Sequence, residues 1–71
     1  MTSKAQEYLA VASRLANTSL TADARAKIHD KVRDIKQSFG AADWDALIMW
    51  AGSQMIRAEL RKQEMQYLKS R

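Results

Sequence analysis

Across 71 residues the chain has no proline, and glycine occurs at two positions only, Gly40 and Gly52. Backbone sterics therefore interrupt a helix at few places. The abundant Ala, Lys, Arg, Gln and Leu favour helix, and no segment alternates polar and apolar residues with the period of a strand. The expected fold class is all-α. A chain this short buries only about 60% of the surface its unfolded form exposes, so it is one domain, and a marginal one without a staple. There is no cysteine for a disulfide or thiolate site, and one histidine does not build a closed zinc site. Alanine supplies 12 of the residues counted as hydrophobic, so the core of a single copy is thin. Well-formed helix packing or association must supply the rest.

Three helices are expected, over about 4–16, 22–39 and 43–69. Ser3 and Gln6 have capping-box spacing at the first start. Tyr8, Val11, Ala12 and Leu15 form its apolar stripe, and Asn17-Thr18-Ser19 ends it. Thr21 is the N-cap candidate of the second helix, with Asp23 in its first turn. Ala24, Ile28, Val32, Ile35 and Phe39 recur on one stripe, and Gly40 is read as a left-handed closing residue.

The third helix starts near Asp43 and reaches about 42 Å if it runs unbroken to the end. It carries two nearly opposed stripes. Trp44, Leu47, Ile48, Ala51, Met55 and Ala58 form one, and Met49, Ile56, Leu60 and Tyr67 form the other. A helix in a monomeric three-helix bundle shows a single broad stripe. Two stripes predict either that helix 1 folds back over the second, or that an antiparallel hairpin of helices 2 and 3 pairs with a second copy. The expected architecture is the latter: a short N-terminal helix on a two-fold homodimeric bundle, with Met49, Ile56, Leu60 and Tyr67 in the dimer seam. Gly52 and Ser53 are read as small residues that let a second backbone approach.

Chemistry finds little purchase. His29 and Asp30 are adjacent and so point in different directions on a helix, and Asp30 with Asp34 has no third ligand beside it. There is no glycine-rich phosphate loop. We expect no enzyme, no catalytic residue, no metal and no cofactor. The start of the chain lacks a secretory pattern, and the apolar run Ala46 to Ala51 is far shorter than a membrane span, so a cytoplasmic protein without membrane contact is expected.

The formal net charge is +4. Arg25, His29, Arg33 and Lys36 share a flank of helix 2 that suits a nucleic-acid backbone or an acidic protein surface. A helix-turn-helix is not expected. Lys36 stands where that motif needs a small residue, and Asp43 and Asp45 would face phosphate.

Phe39, Trp44 and Trp50 surround the expected hairpin tip. Trp44, between Asp43 and Asp45, is expected to be displayed for a partner along with Phe39 and Asp43, and Trp50 to be core. In scale and layout the chain resembles the small all-helical bacteriophage proteins that bind and inhibit host proteins, of the quorum-sensing anti-activator or anti-CRISPR type. The likeness rests on the tip Phe39-Gly40-Ala41-Ala42-Asp43-Trp44 between two amphipathic helices. It implies a regulator or inhibitor that occupies the surface of a bacterial protein. Binding of nucleic acid through the helix 2 flank is the alternative.

Overall fold

The computed structural model describes residues 2–70 and is all-helical, with no strand among them. Helix α1 spans Ser3–Ala12 and runs on into a 3-10 turn, Ser13–Ala16; α2 spans Ala22–Gln37, α3 Ala41–Trp50 and α4 Gln54–Lys69. Each start has a local cause. Thr2 caps α1, its hydroxyl accepting from the Ala5 N–H at 3.2 Å, one residue before the expected Ser3. Thr21 caps α2 as expected, accepting from the Ala24 N–H at 3.1 Å. Gly40 is the N-cap of α3 in extended backbone, φ −94° and ψ 179°, rather than a left-handed end to α2. Asp43 stands in the first turn of α3 and accepts the Gly40 N–H at 2.8 Å.

The expected 43–69 helix is broken at Ala51-Gly52-Ser53. Unbroken it would run about 42 Å, whereas the longest dimension of the molecule is 32 Å. Gly52 lowers helix propensity there by about 1 kcal/mol relative to alanine. Ser53 then caps α4, accepting from the Ile56 N–H at 3.2 Å, and the Arg57 guanidinium returns to the Ala51 carbonyl at 2.9 Å. Gly52 makes no close approach within the chain, since a Cβ built on it meets nothing within 4 Å.

The break lets α4 run back along α3. Trp44 in the first turn of α3 meets Tyr67 near the end of α4, with ring centroids 5.6 Å apart, and Asp45 meets Arg61 at 2.9 Å. α2 likewise runs back along α1. Lys4 donates to the Ser38 carbonyl at one end, and Arg25 donates to the Leu15 and Asn17 carbonyls at the other. The principal contacts join α1 to α2, α1 to α3 and α3 to α4. Helix 2 therefore packs on α1, not along a single long third helix.

The core lies where these contacts meet. Phe39, Trp44 and Leu47 are its largest fully buried side chains, joined by Val11, Val32, Ile35, Ile48, Ala51 and Leu60. Trp44 is 0% exposed despite its flanking aspartates and Trp50 is 60% exposed despite its apolar neighbours Leu47 to Ala51, the reverse of the expectation for both. Truncation of a buried aromatic to alanine costs about 3–5 kcal/mol. A domain of this size holds roughly 4–10 kcal/mol in all, so Trp44→Ala is expected to remove much of the cooperative melt. Trp50→Ala should cost about 1 kcal/mol or less, as a largely exposed substitution does. Thermal denaturation of the two variants, followed by circular dichroism, checks the order.

Candidate functional site

The flank of α2 is mostly occupied by the fold. The Arg25 guanidinium donates through Nη1 to the Leu15 carbonyl and through Nη2 to the Asn17 carbonyl, both at 3.1 Å, closing the end of the 3-10 turn. Lys36 Nζ donates to Gln63 Oε1 at 2.6 Å and lies 5.0 Å from the centroid of the Tyr8 ring. Burial pushes the Lys36 ammonium below its usual pKa, with Glu59 opposing that shift, and burial likewise raises the Tyr8 hydroxyl. His29 and Arg33 remain exposed, and Arg33 pairs with Asp30 at 3.3 Å. Two of the four residues expected to form one basic surface are thus internal ties.

The expected tip does not form a displayed surface either. Phe39 and Trp44 are both fully buried, their rings edge-on at 5.2 Å. Asp43 holds the Gly40 N–H and accepts from the Thr2 hydroxyl, and these bonds, with Lys4 nearby, hold its carboxyl below the usual value of 3.8. It therefore locks the start of α3 to the start of α1.

The four residues expected in the dimer seam do not share a face. Leu60 is core and Tyr67 packs on Trp44, because the turn at 51–53 swings α4 inward. Met49 and Ile56 are exposed and border different depressions. Met49 faces one bordered by Arg57, Ala58 and Arg61, and Ile56 faces the groove described next.

The surface that stands out instead is the corner between α3 and α4. Met49 is 80%, Trp50 60%, Met55 84% and Ile56 53% exposed. Beside it an apolar groove of about 520 Å³ runs between α1 and α4, walled by Leu9, Ala12, Trp50, Ile56 and Leu60 and floored by Leu47. The groove exists because α1 and α4 both pack on α3 without an extended interface with each other. The sequence carried a signal for it: Ala46 to Ile56 is the longest stretch of the chain without a charged residue.

No protein-family model, curated protein or solved structure matches the chain.

Two measurements check the roles given to the polar residues. Arg25→Ala, which loses two charge-assisted bonds, should cost about 1–2 kcal/mol, against about 0.5 kcal/mol or less for exposed Arg33→Ala, by urea unfolding. Asp43 has a folded pKa below its unfolded one, so its contribution is present above pH 3.8 and is lost as pH falls through the folded value. The difference in melting temperature between the native chain and Asp43→Asn should therefore shrink on acidification from pH 7 to pH 3.

Proposed function

We propose that the protein is a non-enzymatic protein-binding module, a regulator or inhibitor that works by occupying another protein's surface with its α3–α4 corner. The observation that carries this reading is Trp50, 60% exposed among Met49, Met55 and Ile56 in a chain whose other tryptophan is fully buried. Leaving four large apolar side chains in water at one corner forgoes roughly 1 kcal/mol or more of burial for each. Contiguous exposed apolar surface on a small protein marks a place where something binds. Tryptophan is enriched among the residues that dominate binding energy, and unbranched methionine adapts to an irregular partner. Nucleic-acid binding has less behind it, because Arg25 and Lys36 are already committed inside the fold and Arg33 is paired.

The likeness in layout to small phage inhibitors implies a bacterial target, although Phe39 and Trp44 of the tip that carried it are buried, and a nuclease-treated bacterial lysate is the source to probe. Immobilised protein should retain a partner that Arg33→Ala also retains and Trp50→Ala loses. A hot-spot truncation of about 2 kcal/mol corresponds to a roughly thirtyfold loss of affinity. Capture that disappears on nuclease treatment, or that ignores Trp50 and follows Arg33, would overturn the reading in favour of nucleic acid or the α2 flank.

A further inference from the structure

We infer that the α3–α4 corner is self-complementary and that its occupant is a second copy of this chain, seated across a two-fold axis with Trp50 of each copy in the other's groove. The inference rests on the corner being a protein contact, and three observations select the occupant.

The first is shape. Two of the exposed apolar side chains, Trp50 and Ile56, line the apolar groove while remaining 60% and 53% exposed, so one region offers both an apolar projection and a recess. A two-fold interface needs this arrangement, a patch that offers both the knob and the recess, so that the same residues serve on both sides. The recess, about 520 Å³ in volume, is large enough for an indole ring and its neighbours.

The second is charge. Each copy carries a net charge of +4, so two copies repel one another overall, and most where basic groups face each other. From Ala46 to Ile56 there is no ionisable side chain, and the other residues along the groove, Tyr8, Leu9, Ala12, Ser13 and Leu60, carry no charge at neutral pH. A contact made here buries no like charges of two identical basic molecules against each other. A partner of opposite charge would be drawn to the basic groups instead, and those lie outside the groove.

The third is area. Taking roughly 200 Å² for a fully exposed large side chain, within the range for aromatic ones, Trp50, Met55 and Ile56 at exposures of 60%, 84% and 53% offer roughly 400 Å² per copy before the groove walls are counted. Stable pairs bury about 800 Å² per partner and weak ones somewhat less. The corner thus falls at the weaker end of specific interfaces, where micromolar dissociation is common. Copies and any other protein that uses the corner then compete for it.

Sedimentation equilibrium of the purified chain tests this over a concentration range of about 1 µM to 1 mM. The expected result is a shift from the 8.1 kDa monomer toward twice that mass as concentration rises. Trp50→Asp should remain monomeric throughout, with its helical circular dichroism retained because the side chain is largely outside the core. Ile56→Asp gives a second disruption on the other side of the groove, and Arg33→Ala, away from the corner, should associate like the native chain. A native chain that stays monomeric to 1 mM overturns the inference, as does a dimer that survives Trp50→Asp and Ile56→Asp. Trp50-dependent capture of a different protein by a chain that is itself monomeric would place another partner in the groove. That outcome would end the self-association inference while leaving the protein-binding reading in place. Loss of both would end the two together.

Discussion

One chain of aromatic contacts runs through the molecule and takes a ring from α1, from the connection after α2, from α3 and from α4. Tyr8 of α1 meets Phe39 edge-on at 6.1 Å, Phe39 meets Trp44 of α3 at 5.2 Å, and Trp44 meets Tyr67 of α4 at 5.6 Å. Edge-on and tilted pairs contribute about 0.5–1.5 kcal/mol beyond the area they bury. In a fold with few large side chains these three contacts join α1, the end of α2, α3 and α4 through one core. The extended backbone at Gly40 lets Phe39 and Trp44, five residues apart, face one another across the α2–α3 connection. The indole N–H of Trp44 is buried without a hydrogen-bond partner, which costs about 1–3 kcal/mol. The ring is held there by its size and shape despite that cost.

The interruption at 51–53 follows from the same constraint. A single long helix would keep its backbone ladder intact but would carry Leu60 and Tyr67 away from Trp44. Turning back buries Leu60, worth about 1.5–3 kcal/mol for such a side chain, and adds the Trp44–Tyr67 pair. Part of what the ladder loses is restored by the Ser53 hydroxyl on the Ile56 N–H and by Arg57 on the Ala51 carbonyl. The fold of α4 onto α3 is thus a trade of a few helical bonds for core contacts, and it leaves the residues around the turn with nothing to cover them.

Much of this was legible in the sequence, and the errors have particular causes. The all-helical class, the start of α2 at Thr21 and the stripe Val32, Ile35, Phe39 are as the periodicity requires. The same periodicity put Trp44, Leu47, Ile48 and Ala51 on one face of α3, which is the buried face, while at about 100° per residue Met49 and Trp50 turn well away from it. Trp44 was nevertheless expected at the surface because aspartates flank it. On a helix, sequence neighbours say little about the direction of a side chain, and the stripe was the better guide. The opposed stripes of the expected third helix were the mark of two helices with different core faces. The signal for the turn between them was the Gly52-Ser53 pair, a weak helix former followed by a good N-cap. The internal bonds of Arg25 and Lys36 depend on tertiary partners ten and 27 residues away, and no local pattern announces them.

The basic character of the chain also has a structural use that net charge alone conceals. Among the described residues no backbone φ is positive, so no helix closes with the left-handed glycine that usually satisfies terminal carbonyls. Cationic side chains from other elements do that work at three ends. Lys4 donates to the Ser38 carbonyl after α2, Arg25 to the Leu15 and Asn17 carbonyls at the close of the 3-10 turn, and Arg57 to the Ala51 carbonyl after α3. Each brings positive charge to the negative end of a helix dipole, where it is favourable, and each ties two elements that the thin core alone would hold loosely. A part of the excess of lysine and arginine is therefore spent within the fold. The surface left most distinctive is the uncharged corner those ties hold in place, which is why the search for a partner starts at Trp50 and not at the basic flank.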